Sequence, residues 1–192
     1  MSAASERLNF IYVRVPRTGS TTLTFHMDYA FGDLMTDKGG MHETAQGLRH
    51  LWGEDKWNNA FTFGFIRNPW DWLVSMYNSG VAASASEQNE PWPGAPIEPI
   101  DTPGIHPGQR MGFTFDEYVR ARITTPLDWL CDDDGIMVKH VWRFEELRDF
   151  SRAKKNCAPR TRVHYRDWYT TELADHVALK FKREIEYGKY EF

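Results

Sequence analysis

The stretch Val15-Pro16-Arg17-Thr18-Gly19-Ser20-Thr21-Thr22 follows an apolar run and opens a helical pattern. A helix N-terminus carries unpaired N–H groups and the positive end of the helix dipole, so it suits an anion. Gly19 lets the backbone approach closely, and Ser20, Thr21 and Thr22 add hydroxyl donors. Arg17 adds a permanent charge that can fork onto phosphate or sulfate oxygens. A plain strand–turn–helix with a serine or threonine cap would use the same residue types, so this stretch alone leaves both readings open. It is not the usual nucleotide-triphosphatase loop, which needs a lysine after its last glycine. Here Ser20 follows Gly19 and the basic residue precedes it.

A second constellation runs from Phe65 to Tyr77, with Arg67-Asn68-Pro69 at its start and Ser75 near its end. Arg67 closes an apolar run, and Asn68-Pro69 offers a helix cap followed by a proline at the first helical position. Ser75 then sits about 10 Å along that helix, at about 1.5 Å per residue. A long arginine and a short serine so placed can close on one phosphate. The alternative is an Arg67–Asp71 pair with Ser75 facing a neighbouring helix. Two anion sites at the C-terminal ends of two strands suit a ligand with separated anionic groups, bound where open α/β sheets bind theirs.

The elements that must hold these groups alternate strand and helix. Phe10 to Val15 reads as a mostly buried strand closed by Pro16. Leu23, Met27, Ala30 and Phe31 fall at helical spacing, as do Ala45, Leu48, Leu51 and Trp52 before Gly53. Phe61, Phe63, Phe65 and Ile66 predict a second strand, and Leu73, Val74 and Tyr77 turn the following helix inward. Thr114 and Glu117 form a capping box, and Ile136 to Val141 is a third strand candidate. Leu173, Val177, Phe181 and Ile185 line one long helix that ends at Gly188. Strands separated by helices predict a central parallel sheet flanked by helices. The region 88–112 is a Pro-rich loop: six of the ten prolines lie between Pro91 and Pro107. It is either a surface excursion or a cover over a binding site, where Trp92 would stack on a sugar.

The chain has 192 residues, which fits a single domain spanning 1–192. With 41% hydrophobic and 26% charged residues it is globular in composition. A net charge of -4 argues against a general nucleic-acid binder but not against a local basic pocket. Two cysteines, Cys131 and Cys157, make neither a disulfide framework nor a four-thiolate zinc site, and two reduced thiols are expected. Met1 to Leu8 is polar and no window reaches the roughly 18 apolar residues of a membrane span, so a soluble, cytoplasmic chain is expected. Oligomeric state is not legible. Asp132-Asp133-Asp134 before Gly135 reads as a solvated turn, and no metal is expected.

Taken together, the two constellations resemble the sulfotransferases that use 3′-phosphoadenosine 5′-phosphosulfate (PAPS), closest to the carbohydrate-sulfotransferase-like branch with small bacterial and viral-type members. In that family a strand–P-[KR]-T-G-[ST]-[ST]–helix loop holds the 5′-phosphosulfate; here it is Pro16, Arg17, Thr18, Gly19, Ser20, Thr21 and Thr22. A later R-[ND]-P-x-x-R-x-x-S-x-Y element holds the 3′-phosphate; here Arg67 and Ser75 match, with Tyr77 in register. His42-Glu43-Thr44-Ala45, Arg143-Phe144-Glu145-Glu146-Leu147, the stretch from Tyr165 to Thr170 and the closing Gly188-Lys189-Tyr190-Glu191-Phe192 are similar to further family segments.

The resemblance implies a P-loop NTPase-like three-layer α/β fold. It also implies transfer of a sulfuryl group from PAPS to a hydroxyl of a carbohydrate or small-molecule acceptor. The product is 3′-phosphoadenosine 5′-phosphate, formed by in-line displacement without a metal. A further 3′-phosphate ligand is expected at Arg162 or Arg160. Relatives place a His or Glu near His42, and an imidazole accepts a proton near neutral pH, so His42 is the expected base, after Gly39-Gly40, with Glu43 as fallback. Arg17 would stabilise charge on the phosphosulfate. His26 and His50 read as structural or surface residues, and His164 stays open. Two departures stand out: Arg17 replaces the commoner lysine, and Trp72 stands where an arginine is frequent. The competing readings are a non-catalytic nucleotide-binding or interaction protein on the same fold, and a P-loop kinase.

Overall fold

A computed structural model describes residues 3–35, 42–79, 113–122, 124–149 and 163–192. The Pro-rich stretch with Trp92, Gly39-Gly40, Cys157, Arg160 and Arg162 lies outside them. The central sheet is built from β1 (Ala3–Ser5), β2 (Phe10–Val13), β3 (Phe61–Ile66) and β6 (His140–Arg143), in the order β1-β2-β3-β6. β2, β3 and β6 run parallel, with Phe10 opposite Phe61, Val13 opposite Gly64, Phe63 opposite His140 and Ile66 opposite Arg143. β1 adds antiparallel to β2, with Ala4 opposite Ile11. The result is a mixed α/β fold whose mostly parallel sheet is flanked by helices.

β2 is buried along its whole length because its sequence, Phe-Ile-Tyr-Val, suits a strand covered on both faces. Tyr12 stacks on Phe63 at 4.9 Å between ring centroids and meets Phe65 edge-on at 5.9 Å. Met27 and Leu23 of α1 (Ser20–Phe31) close over this aromatic face. Burial holds the Tyr12 hydroxyl well above the usual tyrosine range, so it is a neutral core group.

Three expectations need correction. The first strand ends at Val13 rather than Val15, because the backbone is already turning: the Val15 N–H donates to the Val13 carbonyl at 3.2 Å. The strand expected over 136–141 is two elements. Gly135–Ile136 (β5) pairs antiparallel with Cys131–Asp132 (β4), and β6 starts only at His140. The start of β6 is set by Lys139, whose N–H donates to Thr62 Oγ1 at 2.9 Å and whose Nζ reaches the Asn58 and Ala60 carbonyls at 2.7 Å. The hairpin turns where Asp132 Oδ1 accepts from the Asp134 and Gly135 N–H groups, the solvated turn expected of the aspartate run. The long C-terminal helix is α6 (Thr171–Lys180) and α7 (Lys182–Gly188), broken at Phe181, whose φ of -102° and ψ of 25° leave the helical region. Cys131 is buried.

By packing, the chain divides into two compact units, Met1–Arg67 with Thr125–Asn156 and Asn68–Thr124 with Cys157–Phe192. The first holds the sheet, α1, α2 (Ala45–Trp52) and α3 (Glu54–Asn59). The second holds α4 (Pro69–Ser79), α5 (Phe115–Ala121), α6 and α7. Asn68 caps α4 as expected, its Oδ1 accepting from the Trp70 and Asp71 N–H groups at 3.1 and 3.3 Å. The Thr114–Glu117 capping box is also formed at the start of α5. Trp72 is fully buried in the second unit, 6.1 Å from the Phe181 ring and 5.3 Å from the Arg122 guanidinium, which is itself buried. The unusual tryptophan of the second motif is thus a packing residue. Phe181 leaves the helical conformation while its ring stays in that core. Among the described residues no helix is long and apolar enough to cross a membrane.

Candidate functional site

The parallel strands deliver three segments to their C-terminal ends: the Pro16–Gly19 turn after β2, Arg67 after β3, and Phe144 after β6. All three belong to the first unit. This is the edge at which ligands bind in open α/β sheets.

The turn after β2 is wound tightly. Arg17 has φ 61° and Gly19 φ 73°, both left-handed, with Thr18 between them outside that region. A left-handed arginine is uncommon and costs free energy, of order 1–3 kcal/mol, so its surroundings must hold it. Two contacts do so: Thr18, fully buried, donates its Oγ1–H to the Val15 carbonyl at 2.8 Å, and Arg67 donates from Nη1 to the Arg17 carbonyl at 2.8 Å. Pro16 is buried at the base, while Arg17 and Gly19 remain half-exposed.

α1 starts at Ser20 with no side-chain cap and no acidic residue in its first turn. Its first intrahelical acceptor contact is from Leu23 N–H to the Gly19 carbonyl at 3.0 Å. The N–H groups of Ser20, Thr21 and Thr22 therefore precede the ladder, as helix geometry requires. By contrast α2, α5 and α6 are each capped by a threonine hydroxyl, from Thr44, Thr114 and Thr170. The Ser20 side chain is buried, Thr22 is half-buried and Thr21 is exposed. The donor set of this turn, backbone N–H groups beside Arg17, matches the chemistry of a phosphate or sulfate oxygen.

Gly19 is required on two counts. Its left-handed φ disfavours any side chain, and a Cβ there would lie 2.8 Å from Phe144 Cε2. Gly19→Ala is expected to lower stability by about 1–3 kcal/mol and to weaken anion binding at the turn. Thermal unfolding and a phosphate-analogue titration measure the two effects, and an unchanged melting temperature would contradict this geometry.

His42 reaches the base of the same turn. Its Nδ1 lies 2.8 Å from the Arg14 carbonyl, an acceptor, so Nδ1 carries the hydrogen and Nε2 is left as the proton acceptor. The His42 carbonyl accepts from Nε1 of the buried Trp129 at 3.0 Å, which ties the segment from the other side. Burial lowers the His42 pKa below the ordinary histidine value, and the nearby Arg14 and Arg17 charges push the same way, against the raising effect of the Arg14 hydrogen bond. His42 is therefore neutral at pH 7. Glu43 turns its carboxylate onto the start of α2, where Oε1 accepts from the Thr44 N–H at 3.2 Å.

Of the other expected residues, Arg67 closes the first unit and Ser75 lies half-buried on α4 in the second. Their pairing therefore rests on the spacing of the motif. His26 is half-buried on α1 and His50 exposed on α2, while His164 caps the turn Tyr165–Trp168 through Nδ1. Two participants escape reading from sequence, the Arg14 carbonyl and Trp129, and the ring of Phe144 lies in the family-like segment Arg143 to Leu147 with no role read for it there. The signal for Phe144 was its place directly after a strand; a carbonyl acceptor such as that of Arg14 has no side-chain signature.

No curated protein and no solved structure matches the chain. The model of the sulfotransferase family matches residues 3–186, nearly the whole length and both compact units. With that match joined to the loop after β2, the chain belongs to the sulfotransferase family, transferases that move a sulfuryl group to an acceptor.

Proposed function

We propose that the protein transfers the sulfuryl group of PAPS to a hydroxyl of a carbohydrate or small-molecule acceptor. The observation that carries this reading is the turn between β2 and α1, in which left-handed Arg17 and Gly19 lead into a helix start with no side-chain cap. Bound there, PAPS supplies an activated sulfuryl group: its S–O bond to the 5′-phosphate breaks as the acceptor oxygen bonds to sulfur. The chain's own part is binding, charge and proton transfer. Backbone N–H groups of Gly19 to Thr22 receive the phosphosulfate oxygens, and Arg17 offsets the charge on them. As Arg17 does not lose its proton, its assistance is electrostatic. His42, neutral and with Nε2 as acceptor, takes the proton of the acceptor hydroxyl; Glu43 is the fallback.

The 3′-phosphate is assigned to Arg67 and Ser75 because they keep the family's spacing, with Arg162 as a third ligand on the same motif argument. The family match runs across both packing units, which supports reading 1–192 as one sulfotransferase domain. The Trp72 departure no longer favours a non-catalytic protein, because the ring is core. A kinase reading lacks the lysine after Gly19.

Incubation with PAPS and a pooled set of sugars and small alcohols tests the reading. Release of 3′-phosphoadenosine 5′-phosphate in step with a new ester sulfate is expected. Binding of that nucleotide with no acceptor-dependent release would favour the non-catalytic alternative.

A further inference from the structure

We propose that Phe144 is a positioning residue that locks Arg67 to the turn after β2, so that the two anion-binding elements order as one unit. Phe144 is the first residue beyond β6. One side of its ring lies against Gly19, where an added Cβ would meet Cε2 at 2.8 Å. The Arg67 Cζ lies 4.7 Å from the centroid of the same ring, within cation–π range. Arg67 in turn donates from Nη1 to the Arg17 carbonyl at 2.8 Å, two residues before Gly19.

These contacts close a circuit: ring on Gly19, guanidinium on ring, guanidinium on the carbonyl of Arg17. Each link restrains the next. An arginine side chain has several rotatable bonds, and a planar guanidinium resting on a ring loses much of that freedom. The carbonyl it then reaches belongs to the left-handed Arg17, the one non-glycine residue of this turn with a positive φ. The ring also occupies the space that only a glycine at position 19 leaves open. Phe144 acts through Arg67 and the turn.

The geometry stands without any ligand; only the effect on nucleotide binding rests on the PAPS reading. The test therefore has two arms on Phe144→Leu, which keeps bulk without a ring face, and Phe144→Tyr, which keeps the ring. In the first arm, amide hydrogen exchange is followed in the ligand-free protein. Phe144→Leu is expected to speed exchange of the first hydrogen-bonded amides of α1, residues 23–26, about tenfold relative to β2 and β3, and Phe144→Tyr to stay within about twofold of the parent. Equal acceleration at the start of α1 and in the strands, or none, would overturn the proposal, since a general packing defect does not single out that helix start.

In the second arm, Phe144→Leu is expected to weaken 3′-phosphoadenosine 5′-phosphate about tenfold in the parent background and less than twofold in Arg67→Ala, because the ring acts through that arginine. Additive losses would overturn it. If the parent protein does not bind that nucleotide, the donor reading fails, and the exchange arm still decides whether Phe144 couples Arg67 to the turn.

Discussion

Arg67→Ala is expected to weaken binding of 3′-phosphoadenosine 5′-phosphate by about 10- to 100-fold, the equivalent of about 1.5–3 kcal/mol for a hydrogen bond to a charged group. Adenosine 5′-phosphate should lose only about fivefold. The smaller loss is predicted because Arg67 also supports the turn, through its bond to the Arg17 carbonyl at 2.8 Å. That part-buried bond from the guanidinium to a neutral carbonyl is worth about 1 kcal/mol, and its loss touches any ligand of the turn alike. The difference between the two ligands is therefore the part that belongs to the 3′-phosphate. Calorimetric titration of parent and variant with both nucleotides separates the roles. Equal losses would assign Arg67 to turn support alone and remove it from the 3′-phosphate site.

His42→Ala is expected to lower kcat by about 10²- to 10⁴-fold, the usual worth of a positioned general base. Donor affinity should change little, since the imidazole makes its hydrogen bond to the Arg14 carbonyl. The pH dependence follows from the direction of the shift. The base works only unprotonated, and burial with the Arg14 and Arg17 charges lowers the His42 pKa. The acid limb of kcat should therefore lie below the ordinary histidine range and vanish in His42→Ala. The same shift bears on stability. Below the unfolded pKa the unfolded chain binds the proton more readily, so this group's contribution falls as pH drops through the ordinary histidine value toward the lowered one. Retained turnover in His42→Ala, with the acid limb unmoved, would transfer the role to Glu43 or another group.

Local signals made much of this molecule legible. The strand–turn–helix around Gly19, the Asn68 cap and the Thr114–Glu117 box depend on residues close in sequence, and each formed where its pattern stood. What escaped depends on partners far along the chain. β1, Ala3–Ser5, has a sequence with little strand character; it is held by its register with β2 and by Met35, which exchanges N–H and carbonyl contacts with Ala4 at 3.1 and 2.8 Å. The delayed start of β6 follows from Lys139 bonding to Thr62, Asn58 and Ala60, residues of the preceding helix–strand segment. The break at Phe181 interrupts a helical periodicity that is correct on either side of it, at a residue whose ring is buried beside Trp72.

The candidate site divides in the same way. Arg17, Gly19 and Arg67 announce themselves by type and spacing. The restraints that make them a site do not, because they run through carbonyls of Arg14, Arg17 and His42 and through the ring of Phe144. Trp72 shows the converse: read as a departure within a binding motif, it is explained by packing against Phe181 and Arg122.

Calorimetric titration of the parent protein with 3′-phosphoadenosine 5′-phosphate, run beside adenosine 5′-phosphate and magnesium ATP, tests the central claim most directly. Tight binding that requires the 3′-phosphate and does not require magnesium is the predicted result. Equal affinity with and without that phosphate, or a preference for magnesium ATP, would contradict the assignment of PAPS as donor.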